Sequence, residues 1–269
     1  MAEDIGFDEE IFDDDNSSLW VIVRIKNNLF GFEANIVGNM IALPRITSVP
    51  DSEEYMPGTI TVRGSVIPLV DFRVYTGQIS AIQEIDDFCK LMDQRLGDHQ
   101  NWIEELKKSV DEKNEFKLAT DPHKCAFGKW YDSYKSDDRT ITNILAKFDK
   151  PHQIIHGIAE KATKLVNENK INDAHKLIDR TSDNELQQMV SLFADIKEAV
   201  REVGRRRIAM ILELGERQVA LDIDEVIAVE NINNIEDAPK NKSSSLGITR
   251  IGRRDKTDEL VLLMENFAF

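Results

Sequence analysis

A texture of short apolar strands runs from about Leu19 to Tyr75, stops, and returns only after Gly204. The first stretch holds LWVIVRI, LFGFEA, VGNMIAL, GTITV and SVIPLV, set apart at close intervals by Gly, Pro or Asn, which suits a small barrel or sandwich. The second holds RRRIAMILEL, RQVALDI, EVIAVE, LGITRIG and ELVLLME, punctuated by Gly215, Pro239 and KNKSSS. Between them the sequence has almost no strand signal, and its two ends carry a regular apolar seam. Ile82, Ile85, Cys89, Met92, Leu96, His99, Ile103, Leu106 and Val110 follow one another in steps of three and four, as do Leu186, Met189, Phe193, Ile196, Val200 and Val203. An inserted domain must leave and re-enter its host at neighbouring points, so these two helices are expected to pair antiparallel. The expected class is α+β: one all-β domain, residues 18–77 and 205–269, interrupted by an all-α bundle at 78–204 and preceded by an acidic tail at 1–17.

Charge narrows the partners. With 49 acids against 34 Lys and Arg the chain has a formal net charge of -15, and nucleic acid or an anionic membrane surface would need a basic footprint that this composition does not supply. Protein, metal or a cationic patch remains. The two cysteines, Cys89 and Cys125, form no disulfide-like framework, which fits a reducing compartment. The N-terminus is acidic where a signal peptide is basic, and runs such as WVIV, IAMIL and LVLLM are too short to span a bilayer. A cytoplasmic chain without membrane insertion is expected. Residues 1–17 carry eight acids and no base and read as a disordered solubilising tail, with Phe7, Ile11 and Phe12 as the apolar side chains if it serves as a docking peptide.

The helical stretch concentrates metal ligands. His152 and His156 lie four residues apart just after Pro151, in a run whose apolar positions recur every three or four residues, so both imidazoles project from one helix face. His99 occupies a seam position, where a polar ring is costly to bury unless a partner or metal satisfies it. Asp121 and Pro122 form a helix-start signal that places Cys125 in or near a first turn. Three imidazoles and one thiolate complete a tetrahedral zinc shell and leave no position for a reactive water, so a closed, structural or sensory site is expected rather than an enzyme. His123 and His175 read as surface or supporting residues, and Cys89 as plain core.

The series His99-Gln-Asn-Trp102, Cys125-Ala-Phe-Gly128-Lys-Trp130 and His152-Gln-Ile-Ile-His156 resembles the signature of chemoreceptor zinc-binding domains, helical bundles in which these four His and Cys positions hold zinc. The resemblance implies that Trp102, Gly128 and Trp130 pack around the metal. The stretch from Tyr55 to Arg73, with Gly58, Arg63, Gly64, Pro68 and Asp71, resembles the core motif of CheW coupling proteins, and Val219–Val226 resembles their second-barrel motif. That likeness implies two SH3-like barrels, no enzymatic activity, and a scaffold joining chemoreceptors to the histidine kinase CheA within membrane-associated receptor arrays. By position in the motif, Val37, Gly58 and Arg63 match residues that the family uses for receptor contact, whereas Asn39 stands where many members have glutamate.

Together these readings lead to a non-enzymatic chemotaxis adaptor whose zinc-binding insert modulates signalling in response to zinc or oxidants. The alternative is a structural zinc bundle that serves only as an interaction or oligomerisation surface. Heptad seams suit an intramolecular bundle and a homodimer equally.

Overall fold

The structure, a computed structural model, describes residues 19–239 and 246–267, so the acidic tail and KNKSSS lie outside it. Two compact units are present, one built from the chain up to Gln78 and from Arg207 onward, the other from Ile79 to Arg206.

Among the described residues the first unit contains ten strands: β1 (Leu19–Ile25), β2 (Asn28–Glu33), β3 (Val37–Ala42), β4 (Gly58–Val62), β5 (Ser65–Asp71), β6 (Ile208–Leu214), β7 (Arg217–Ile223), β8 (Glu225–Asp237), β9 (Ile248–Arg254) and β10 (Leu260–Met264). They do not divide at the insertion. A closed barrel runs β1-β2-β10-β9-β8, and a five-stranded sheet runs β3-β6-β7-β5-β4, so each draws strands from both sides of the helical segment. The long strand β8 closes the barrel by pairing with β1 through Glu225–Asn231 and with β9 through residues from Ile232 to Asp237. The edges of the other sheet, β3 and β4, meet through the chain that follows β3, where Thr47 and Thr59 exchange two backbone hydrogen bonds of 2.8 Å.

Burial explains why the strand runs are apolar rather than alternating. Trp20 and Ile22 of β1 point into the barrel with Leu29, Val261 and Leu263, while Val21, Val23 and Ile25 join a second core with Phe30, Phe32, Phe72, Met210 and Leu221. Both faces of β1 are therefore covered. After β5, Asp71 caps the short helix α1 (Phe72–Tyr75) by accepting from the backbone N–H groups of Arg73 and Val74.

The second unit is helical. Ser80 caps α2 (Ala81–Glu112), which is followed by α3 (Ala126–Ser133), α4 (Arg139–Leu145), α5 (Asp149–Asn167), α6 (Ile171–Thr181) and α7 (Gln187–Gly204), with a π-turn at Ser182–Leu186 joining the last two. The start of α2 and the end of α7 run antiparallel, with Lys197 paired to Asp93 and Gly204 against Ile85. A Cβ on Gly204 would lie 2.1 Å from Ile85 Cδ1, so glycine permits this close crossing. The seam pattern fails at its first position. Ile82 is 57% exposed, and Ala81 is the residue buried in that turn.

Candidate metal centre

Four side chains from three places in the bundle converge. His99 comes from the middle of α2, Cys125 from the residue before α3, and His152 and His156 from the first turns of α5. Each offers one ligand atom, and these atoms all lie within 4.8 Å of one another. Around a tetrahedral zinc the corresponding atoms sit about 3.3–3.7 Å apart, a modest contraction. The three histidines are at most 4% exposed, whereas Cys125 is half-buried. Among the described residues no other group of three or more His, Cys, Asp or Glu side chains is placed to hold a metal.

Local structure aims each group. Pro151 lies in the first turn of α5, where its missing N–H costs no helical bond, and the four-residue spacing then stacks His152 and His156 with ring centroids 4.8 Å apart. His99 Nδ1 lies 2.7 Å from the Arg95 carbonyl, and His156 Nδ1 lies 3.0 Å from the Ala119 carbonyl. A carbonyl can only accept, so in both rings Nδ1 carries the proton and Nε2 presents its lone pair. Those two Nε2 atoms are buried and have no hydrogen-bond partner. Orphaned lone pairs of this kind, fixed from behind by backbone carbonyls, fit a metal ion. His152 Nε2 faces Cys125 Sγ at 3.2 Å.

Cys125 lies where two elements meet. Pro122–Lys124 form a separate 3₁₀ turn capped by Asp121, and Cys125 is the N-cap of α3, its sulfur accepting from the Gly128 N–H at 3.1 Å. The helix start-signal therefore belongs to the shorter turn, and the thiol does the capping that follows. Gly128 is obligatory here, since a Cβ would lie 1.8 Å from the Pro122 carbonyl oxygen.

The electrostatics suit neutral nitrogen donors. Burial, helped by neighbouring imidazoles, pushes His152 down to about 3 and His156 down to about 4, and burial also lowers His99. All three rings are neutral at neutral pH and able to ligate. Burial raises the Cys125 thiol against the opposing pull of backbone N–H groups, and a bound cation reverses that balance by holding the sulfur as thiolate.

Aromatic rings wall the centre. Trp102 is buried against His156 at 5.0 Å and donates to the same Ala119 carbonyl at 2.8 Å. Phe127 touches His152 at 5.0 Å and His99 at 5.7 Å, and continues to Phe148 and Phe193. Trp130 instead stacks on Tyr134 and meets Phe88 edge-on, one layer away from the histidines behind Phe127. Sequence reasoning missed Phe127, Arg95 and Ala119. Backbone carbonyls leave no trace in residue types, although Phe127 lies inside the CAFGKW run.

The other expected residues lie elsewhere. His123 is exposed beside Asp132 at 3.0 Å, His175 pairs with Asp111 at 2.9 Å, and Cys89 is buried core. In the first unit, Val37 opens β3, Gly58 opens β4, and Arg63 with Gly64 forms the two-residue turn between β4 and β5. Both turn residues have positive φ, 50° and 90°, as a hairpin of this length requires. Arg63 is exposed, whereas Gly58 is buried at φ 149°, where a Cβ would lie 2.0 Å from the Thr47 carbonyl oxygen. Gly58 and Arg63 thus stand at opposite ends of β4, about 16 Å apart at the usual rise per residue. Asn39 is half-buried on β3 and accepts from the Met40 N–H. Among the described residues no helix is long and apolar enough to cross a membrane.

Residues 99–163 match the chemoreceptor zinc-binding domain, a span that begins at His99 and includes all four converging side chains. Residues 19–85 match the CheW-like domain. The scaffolding protein TtCheW from Thermoanaerobacter tengcongensis aligns over 93% of this chain and 90% of its own, at 11% identity and a TM-score of 0.43, too remote to add to the fold already described. No curated protein matches.

Proposed function

From a chain that carries both a CheW-like domain and a chemoreceptor zinc-binding domain, we propose a chemotaxis adaptor that couples chemoreceptors to the histidine kinase CheA and adjusts that coupling through zinc. Residues 18–77 and 205–269 are the adaptor, 78–204 the insert. The observation that carries the reading is the convergence of His99, Cys125, His152 and His156 on one point, with two buried Nε2 atoms otherwise unsatisfied. Both matched domains belong to non-catalytic families, and four protein ligands leave no open coordination position for a reactive water.

Zinc bound there supplies a clamp: its charge holds Cys125 as thiolate and ties α2, the start of α3 and α5 together. His99 belongs both to the ligand set and to α2, whose first turn follows β5 along the chain after α1 and residues 76–80. Two inputs act on such a clamp. Falling zinc empties it, and a peroxide converts the Cys125 thiolate to sulfenic acid, forming an S–O bond as the O–O bond breaks and water or hydroxide leaves. Val37, Gly58 and Arg63 are the proposed receptor-facing positions, with Arg63 the exposed charge among them and Gly58 acting by shaping the backbone. Placement of the chain in receptor arrays follows from that role.

The test compares zinc-loaded and metal-free protein for binding to CheA and to a receptor tip, and for kinase activity in reconstituted arrays. The proposal expects one zinc per chain and a change in binding or activity on its removal. Zinc binding with unchanged coupling would instead favour a structural zinc that only holds the bundle shut, and absence of zinc would remove the metal reading altogether.

A further inference from the structure

Three of the four converging residues, His99, Cys125 and His156, line a cavity of about 260 Å³. Its outer walls reach solvent. Asp98, whose side chain is 46% exposed, and Asn101 come from α2, and Leu118, 38% exposed, comes from the segment that joins α2 to the turn at Pro122. Resting on the zinc reading above, we infer that this cavity is the path by which zinc enters and leaves, with Asp98 drawing the cation to the mouth and Leu118 setting the width of the opening.

Burial demands such a path. The three imidazoles are 1–4% exposed, and an ion that sheds its waters only as it meets ligands needs room to arrive hydrated. Six waters at about 30 Å³ each fill roughly 180 Å³, which the cavity accommodates. The arrangement also orders the ligands. Cys125, the most exposed of the four, lines the cavity together with His99 and His156, while His152 lies behind it against the sulfur and under Phe127. Three groups are met on entry, and the fourth closes the shell.

Charge favours a cation. Asp98 carries the carboxylate of the lining, its field reaches both His99 and Cys125, and no lysine or arginine lines the cavity. Arg95 pairs with Asp98 at 2.8 Å and its field opposes that of Asp98 at both His99 and Cys125, but its side chain is not part of the wall, which leaves Asp98 as the charge at the mouth. The wall opposite α2 is irregular backbone, with Phe116 packed on Trp102 at 4.9 Å. Residues 114–121 form neither helix nor strand and are tied to the centre at Ala119, whose carbonyl accepts from both Trp102 and His156. Leu118, next to that anchor, can swing without detaching the carbonyl that orients His156.

The experiment follows zinc uptake and its release to an excess of a coloured chelator by stopped flow, in the full chain and in Asp98→Asn, Leu118→Ala and Leu118→Trp. Glu104→Gln serves as a control for the loss of one exposed charge on the same helix. Cobalt-loaded variants should keep the wild-type visible spectrum, which shows the ligand set intact. Asp98→Asn should slow uptake by about threefold or more and weaken its salt dependence, as expected for electrostatic steering. Leu118→Ala should speed both uptake and release several-fold and Leu118→Trp slow both, with equilibrium affinity changed by less than about twofold because a gate acts on the barrier alone. Wild-type rates in all the cavity variants would overturn the path while leaving the zinc reading intact. A wild-type chain that takes up no zinc would overturn both.

Discussion

At Cys125 and Gly128 the fold and the metal centre make the same demand. The sulfur caps α3 through the Gly128 N–H, and Gly128 lets the chain pass under the Pro122 carbonyl. Cys125→Ser should therefore keep the helix, since serine is a good N-cap, yet lower zinc affinity by more than about 100-fold by removing the thiolate. Circular dichroism and chelator competition separate the two effects, and a large loss of helix would contradict the capping account. Gly128→Ala forces a Cβ onto a backbone oxygen and should destabilise the bundle by about 2–4 kcal/mol in urea unfolding. Arg63 offers a cleaner probe. Asparagine tolerates its positive φ, so Arg63→Asn should leave stability within about 0.5 kcal/mol. If the guanidinium contacts the receptor, the same change should weaken receptor binding about tenfold; unchanged affinity would assign Arg63 to the turn alone.

Two elements carry features that no residue count predicts. Ile178 and Leu186 are both buried although eight residues apart, and an uninterrupted α-helix would set them about 80° apart around its axis. The π-turn at Ser182–Leu186 absorbs one residue, reduces that offset to about 20°, and lets α6 and α7 share one core. In the other unit, β5 and β7 run parallel and place Asp71 directly beside Asp222, with Arg207 pairing to both inside the fold. Burial pushes Asp222 up to about 7, with Asp71 adding to the rise and Arg207 opposing it. Its folded value lies above the unfolded 3.8, so the native chain holds this proton more tightly and the group's contribution to stability falls as pH rises from about 4 through about 7. Asp222→Asn should remove that fall, measured as the difference in urea-unfolding free energy between about pH 5 and about pH 8. An identical pH slope in the variant would place the titration elsewhere.

For the whole molecule, two compact units joined by two chain crossings should unfold in two calorimetric transitions. The proposed zinc site lies in one unit only, so zinc should raise the bundle's transition and leave the barrel's in place. Stabilisation reaches about 4 kcal/mol when zinc is at a thousand times its dissociation constant. A single transition that moves as a whole would mean that the units unfold cooperatively, and a chelator would then destabilise the adaptor as well.

The α+β class with a helical segment interrupting the strands was legible in the sequence because it rests on short-range periodicity, apolar runs bounded by turn residues and a three-four seam; of the four clustering residues, His152 and His156 rested on their four-residue spacing, His99 on its seam position, and Cys125 on a helix-start signal and the likeness to the zinc-binding signature. What needed tertiary structure was everything set by groups distant in the chain or by the backbone. The barrel closes across the insertion because β1 and β2 find β8 and β10, and no local pattern specifies a partner some 200 residues away. That Cys125 also caps a second helix was not legible, because the start signal at Asp121 and Pro122 opens a separate 3₁₀ turn just before it. The orientation of His99 and His156 is set by carbonyls of Arg95 and Ala119, groups that every residue has and only the fold can aim.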